Sequence, residues 1–431
     1  MAMRAAVLAI GDELVLGQVA ERHAQVVSAS LLDAGFTTHE HRTVPDDLEA
    51  IVAALRELAR SSDLLIVTGG LGPTDDDLTR QALARALGGE RLVEDDDARS
   101  ALLRRFQHRG AVMPQLNLRQ TLRPESARTL PNPHGTAPGL AVLLGTTRVY
   151  CLPGPPNEME PMLRGHVLPE LVASAPRGAG SEVRTMAVHT CGLAEAEVAQ
   201  RLGALMDRNA NPLVGTTASA ALVSARVRAW GSATTDGSFE SVTDEVRRRL
   251  APFVYGDGTA TLAGAVGALL LARGERLALA ESCTGGLVGE LLTSVAGSSR
   301  WFAGGWIVYS NELKKSQLNV SEATLAGEGA VSAACAREMA IGAAQSAETR
   351  WGVSITGIAG PDGGSAEKPV GTVWVGLVDR KAEQLAQARH FRIQGDREGV
   401  RTRAARLALQ WLHMELVDAP RTRLLWEVVE T

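Results

Sequence analysis

Ala280-Glu281-Ser282-Cys283-Thr284-Gly285-Gly286 follows the short apolar run Leu277-Ala278-Leu279 and precedes the apolar Leu287, Val288, Leu291 and Leu292. The pattern predicts a strand that stops at a helix start, the unit from which α/β folds are built. Backbone N–H groups at such a start are unpaired and point outward, so they can hold a phosphate or a developing oxyanion, while a serine there can attack a substrate. Ser282 is therefore the candidate nucleophile, with the N–H groups of Cys283, Thr284, Gly285 and Gly286 as candidate donors. Two competing readings stand beside it: Ser282 or Thr284 as a plain helix cap, and Cys283 as the nucleophile.

Three further stretches have the same character, a polar or glycine-rich end to an apolar strand. They are Trp306-Ile307-Val308-Tyr309-Ser310-Asn311-Glu312-Leu313-Lys314, Ser354-Ile355-Thr356-Gly357-Ile358-Ala359-Gly360-Pro361-Asp362-Gly363-Gly364 and Lys368-Pro369-Val370-Gly371-Thr372-Val373. A lysine beside a buried serine can act as its base once burial lowers its pKa, and a tyrosine between the two can relay the proton. On residue type alone, Lys314 and Lys315 belong on the surface and Tyr309 in the core.

At 431 residues the chain exceeds one ordinary core, and its 45% hydrophobic and 22% charged residues describe a globular protein. The net charge of −5 argues against a general nucleic-acid or membrane-surface binder. No apolar run reaches the roughly 18 residues that span a bilayer, and the N-terminus lacks a secretory pattern, so a cytoplasmic protein is expected. Cys151, Cys191, Cys283 and Cys335 lie in separate segments with no Cys-x-x-Cys pair, which predicts free thiols and no zinc site.

Residues 4–172 alternate strands (5–10, 37–44, 64–68, 149–152) with helices (about 19–32 and 48–59), as a parallel sheet covered by helices requires. Its strand ends carry Gly11-Asp12-Glu13, Pro45-Asp46-Asp47 and Thr68-Gly69-Gly70-Leu71-Gly72-Pro73-Thr74-Asp75-Asp76-Asp77. A glycine loop entering a helix can hold phosphate, and acidic side chains beside it can hold a divalent cation. As a bland alternative, the glycines only turn the chain and the aspartates complement the helix dipole. Residues 173–180 read as a linker. A small α+β unit follows, with strands near 183–189, 213–216 and 222–229 and helices at 193–206 and 239–250. The last α/β segment carries helices at 262–272, 333–348 and 398–414.

These motifs resemble the CinA (competence/damage-inducible) family. The first segment looks like its molybdopterin-binding-like domain through Gly-Asp-Glu-Leu, Thr-Gly-Gly-Leu-Gly-Pro-Thr, Asp-Asp-Leu-Thr, Gly-Thr-Ala-Pro-Gly and Leu-Pro-Gly-Pro-Pro-Asn-Glu-Met. The middle unit resembles the family's KH-like domain, without a Gly-x-x-Gly clamp or a basic stripe, so it is taken as a spacer or assembly domain. The motifs of residues 262–414 resemble the family's C-terminal domain, a nicotinamide-nucleotide amidase that converts nicotinamide mononucleotide (NMN) and water to nicotinate mononucleotide and ammonia.

The resemblance implies two three-layer α/β domains, 1–172 and 257–418, joined by an α+β domain at 173–256, with a tail at 419–431. It places Ser282 at the nucleophile, Tyr309 and Lys314 at its activating partners and Thr356 at a further active-site hydroxyl. Substrate contacts are expected from Cys283, Thr284, Gly285, Gly286, Gly360, Gly363, Gly364 and Arg397, with Arg401 one helical turn further on. In the first domain it implies a metal-dependent ADP-ribose pyrophosphatase site at Asp12, Asp46, Gly69, Gly70, Gly72, Thr74 and Asp77, with Asp77 as metal ligand. The amidase is expected to need no cofactor. The expected partners are a pyridine nucleotide, ADP-ribose and a second copy of the chain, with neither nucleic acid nor membrane. Two alternatives remain from the sequence: an enzyme active chiefly through its first domain, and a non-enzymatic scaffold in competence or DNA repair.

Overall fold

The computed structural model describes residues 3–108, 110–174, 183–382 and 386–428; the expected linker at 173–180 falls mostly outside them. The chain divides into two compact units, residues 1–184 with 230–232, and residues 185–229 with 233–431.

In the first unit the strands are β1 (Met3–Ile10), β2 (Phe36–Val44), β3 (Leu64–Thr68), the short pair β4 (Leu92–Glu94) and β5 (Leu122–Pro124), β6 (Arg128–Leu130), β7 (Gly139–Leu144) and β8 (Thr147–Leu152). The main sheet runs β2-β1-β3-β8-β7-β6, parallel from β2 to β8 and antiparallel beyond. Along β1 alternate residues face opposite ways, as a pleated strand dictates. Ala6, Leu8 and Ile10 pack with Ile51, Leu55 and Leu58 of the helix Leu48–Ser61, while Ala5 and Val7 pack with Val27, Leu31, Met159 and Met162. Three layers result.

The helix expected over 19–32 begins later, as His23–Asp33, and a separate short helix, Asp12–Val15, precedes it with Gly17 at φ 70° between the two. Val15, Leu16 and Val19 are exposed, so their apolar periodicity marks surface and not core. Glu21 starts the second piece by accepting the Ala24 N–H at 3.0 Å.

Almost wholly in the second unit, β9 (Val183–Cys191), β10 (Leu213–Ser219), β11 (Leu222–Trp230) and β12 (Val254–Asp257) form a sheet ordered β10-β11-β9-β12. Then β13 (Leu277–Glu281), β14 (Phe302–Ile307), β15 (Trp351–Gly357), β16 (Thr372–Asp379) and β17 (Ala386–Arg392) form a sheet ordered β14-β13-β15-β16-β17. Strands β14, β13 and β15 are parallel, and β16 and β17 are antiparallel. One face of β13, through Leu277 and Leu279, joins the helices Leu262–Arg273 and Arg397–Leu416. The other, through Ala278 and Ala280, joins Leu318, Cys335 and Met339 of the helices Asn311–Leu318 and Ala333–Ser346.

The middle sheet is not a free spacer. Its apolar side chains belong to the same cluster as those of the C-terminal sheet, and Arg406 donates to the carbonyls of Ser219 and Ala220, each at 2.9 Å. The tail also docks here: Leu424 is buried, the Leu425 N–H reaches the Gly192 carbonyl at 2.7 Å, and Glu427 bridges to Phe391 of β17. No helix of the described residues is long and apolar enough to cross a membrane.

Candidate active site

The register of the parallel strands builds the C-terminal site. Glu281 lies level with Ile307 on one side and Ile355 on the other. Ser282, the 308–310 turn and Thr356 therefore emerge together at one sheet end, as ligand sites in open α/β sheets do.

Helix Asn311–Leu318 is capped by Ser310, whose hydroxyl accepts the Leu313 N–H. Its inward stripe is Lys314 and Leu318, one turn apart, whereas Lys315 pairs with Glu322 on the surface. Lys314 is only 1% exposed. Its ammonium donates to Ser282 Oγ at 3.2 Å, to the Val308 carbonyl at 2.9 Å and to the Tyr309 carbonyl at 3.2 Å. No carboxylate pairs with it among the described residues. Burial lowers its pKa below the ordinary lysine value, as expected for a charge held away from water without a counterion. Once neutral, the amine keeps two N–H bonds for the two carbonyls and turns its lone pair toward the Ser282 hydroxyl. Such an arrangement can let the lysine act as a base toward the serine.

The residue-type expectation is inverted, because the lysine is buried and Tyr309 is 61% exposed. Nor does Tyr309 stand between serine and lysine. Its carbonyl accepts from Lys314, but its hydroxyl accepts from Arg397 Nη2 at 3.3 Å. Arg397 also donates to the Gly360 carbonyl at 2.7 Å, so Tyr309, Gly360 and Arg397 form one rim at the mouth of the site. The buried Gly360 and the exposed Gly363 both adopt positive φ, and a Cβ on Gly364 would meet the Val370 nitrogen at 2.8 Å. Loop closure alone thus requires these glycines. Thr356 is buried and donates to the Ala330 carbonyl at 2.7 Å.

Glu281 is the residue that sequence reasoning missed. Neither Ser282 nor Thr284 caps the following helix, Leu287–Thr293, which has no side-chain bond from its own N-cap, Gly286. The buried Glu281 carboxylate accepts the N–H groups of Gly286 at 3.0 Å, Val288 at 3.1 Å and Gly289 at 2.9 Å. Gly285 N–H is spent on the Ser282 carbonyl and Ser282 N–H on the Ile355 carbonyl. The expected oxyanion donors at Gly285 and Gly286 are therefore already engaged. Cys283 and Thr284 keep N–H groups that bond no other described residue, while Arg401 holds both their carbonyls, at 3.2 and 2.8 Å. Glu281 and Arg401 clamp the turn so that only these two N–H groups are free. Thr284 Oγ1 is likewise buried and without a partner among the described residues.

Glu281→Gln is expected to cost about 1–3 kcal/mol of stability, because an amide turns a donor toward backbone donors. Thermal unfolding of the variant measures this; an unchanged midpoint would remove the clamp from the account. Burial pushes the Cys283 thiol up to about 12 and so keeps it protonated at neutral pH, which disfavours it as nucleophile. All four cysteines are free and buried.

In the first unit, a cleft of ≈ 780 Å³ opens at the ends of β1, β3 and β8 and brings together Asp46, Gly69, Gly70, Gly72, Thr74 and Asp77, with Gly11 and Glu13 on its wall. Gly69 sits at φ 97°, and a Cβ there would lie 2.3 Å from the Ile10 carbonyl oxygen, so no larger residue fits. The N–H groups of Gly70 and Leu71 bond no described residue. Asp12 and Asp46 each accept the other's N–H, at 3.1 and 2.9 Å. Burial, and then the neighbouring Asp12, Glu13 and Asp76, raise the Asp46 pKa despite the Asp12 N–H bond. Arg80, buried beneath the loop, donates to the Leu71 carbonyl at 2.7 Å and is lowered to about 10 by burial.

Asp77 is tied into the loop itself. Its carboxylate accepts the Gly72 N–H at 2.7 Å, the Thr74 N–H at 2.8 Å and the Thr74 hydroxyl. These bonds hold the loop and do not suit a metal ligand, and no group of three acidic, histidine or cysteine side chains placed for a metal occurs among the described residues. Asp77→Asn is expected to destabilise the first unit by about 1–3 kcal/mol. The check is a lower unfolding midpoint with no bound nucleotide; an unshifted midpoint would return Asp77 to a purely functional role.

The family model described as the CinA C-terminal domain matches residues 259–416, that of a "Probable molybdopterin binding domain" matches 6–173, and that of the damage-inducible protein CinA KH domain matches 185–256. A CinA-like protein of Geobacter sulfurreducens is 42% identical over 97% of this chain and 100% of its own length. Another, of Geobacter sp. (strain M21), is 41% identical over 97% and 99%. A solved CinA protein of Thermoplasma acidophilum is 34% identical over 39% of this chain and 99% of its own, with a TM-score of 0.37. With such relatives along nearly its whole length and family models on all three of its α/β and α+β segments, the chain belongs to the CinA family of competence/damage-inducible proteins.

Proposed function

We propose that the second unit is an amidohydrolase acting on NMN. The observation that carries this reading is the buried, carboxylate-free Lys314 amine 3.2 Å from Ser282 Oγ. Neutral Lys314 takes the Ser282 proton as Oγ bonds to the carboxamide carbon, and the negative oxygen falls to the N–H groups of Cys283 and Thr284. The resulting ammonium returns its proton to the leaving nitrogen, which departs as ammonia and leaves a serine ester. Water, deprotonated by the same amine, then hydrolyses the ester to the nicotinate product. In this reading Arg397, exposed at the rim beside Tyr309, meets the ribose phosphate.

A second reading concerns the cleft of the first unit, whose free Gly70 and Leu71 N–H groups suit a pyrophosphate. ADP-ribose is the candidate substrate there. Incubating the full chain with NMN and with ADP-ribose, with and without a divalent cation, separates the two. Ammonia from NMN regardless of metal supports the amidase, and turnover of ADP-ribose alone would move the activity to the first unit.

A further inference from the structure

A second cavity, of ≈ 470 Å³, lies at the β17 edge of the C-terminal sheet, between the start of helix Ala333–Ser346 and the docked tail. It shares no residue with the Ser282 site. Its wall carries four arginines, Arg337, Arg389, Arg421 and Arg423. Among the described residues the only carboxylate there is Glu427, and Glu427 is already paired with Arg389 at 3.4 Å. Beside them the rings of Trp374 and His390 stack at 4.5 Å, 8° from parallel.

Arg389 is 3% exposed, and its Nε has no partner among the described residues. Its other bonds go to the Thr422 carbonyl at 3.0 Å and to Glu427. Arg337 and Arg421 make no hydrogen bond or ion pair among the described residues. Four guanidinium groups gathered around a single carboxylate among the described residues repel one another, and a buried donor without an acceptor is costly, so the arrangement is relieved by an entering anion. Burial lowers the Arg389 pKa and Arg421 lowers it further, although Glu427 opposes both.

We propose that this cavity binds a small phosphate ester, its phosphate met by the arginines and its planar group extending the Trp374–His390 stack. Arginine forks match phosphate oxygens, and aromatic faces accept a flat ring with little conformational cost.

The test is calorimetric titration of the full chain with AMP and, separately, with inorganic phosphate. Arg337→Ala/Arg421→Ala and, as a second variant, Arg421→Glu alter only side chains that hold nothing else, so thermal unfolding should match wild type. Each variant is expected to lose one AMP-binding event per chain or to weaken it about tenfold or more. Trp374→Leu is expected to bring AMP down to the affinity of inorganic phosphate. Isotherms that superimpose on wild type in both arginine variants would overturn the site. Loss in the arginine variants with no effect of Trp374→Leu would overturn the aromatic half of the proposal.

Discussion

Ser282→Ala is expected to lower ammonia release from NMN by about 10⁴-fold or more, the scale on which removing a serine nucleophile acts elsewhere. The fold should survive. Ser282 caps no helix, and among the described residues its hydroxyl bonds only Lys314, whose amine retains the Val308 and Tyr309 carbonyls. Losing that one bond costs about 1 kcal/mol. Cys283→Ala serves as the control, because burial keeps its thiol protonated and the variant should stay active. Activity kept by Ser282→Ala and lost by Cys283→Ala would transfer the nucleophile to the thiol.

Lys314→Met is expected to lose activity on a similar scale, and Lys314→Arg as well, since guanidinium does not surrender its proton in this range. The pH dependence carries more information. An unperturbed lysine titrates near about 10.4, and burial lowers the value for Lys314. The rate should therefore rise with pH through an ionisation below about 10.4, where the amine becomes a base.

Stability should follow the same group. Between the lowered folded pKa and the unfolded value, the unfolded chain binds more protons, so stability rises with pH across that window and is flat below it. Lys314→Met should erase that slope. Unfolding midpoints of wild type and variant across this pH range provide the measurement, and parallel slopes would contradict a depressed Lys314.

The residues that were legible in the sequence are those whose role depends on strand order. Runs such as 64–68 and 277–281 are apolar and bounded by glycine or polar residues, so both the strands and the loops at their ends could be read. Ser282 follows from that reading, because parallel strands bring their carboxyl ends to one side, whereas the roles of Lys314 and Thr356 come from the resemblance to the CinA family. Lys314 could have been placed inward from its spacing to Leu318, four residues on, against Lys315 on the other face.

What was not legible depends on how backbone donors are shared. Glu281 precedes the helix it caps, and no local propensity says that a carboxylate will reach forward to three N–H groups. Tyr309 was expected beside the nucleophile, yet only the path of the chain after β14 decides that its carbonyl faces Lys314 and its ring faces Arg397. The β10–β11 turn is equally silent, because Ala220 and Ala221 take φ of 47° and 70° where glycine or asparagine would have announced a hairpin. Arg406, far along the chain, holds that turn by two carbonyls. The tail's docking likewise rests on Gly192 and β17, both remote in sequence.

The most direct test of the Ser282–Lys314 assignment is the identity of the products formed from NMN by the full-length chain. The account predicts one ammonia for each nicotinate mononucleotide formed, with the glycosidic bond intact. Release of free nicotinamide and ribose phosphate without ammonia, or NMN left unchanged by the folded chain, would contradict it.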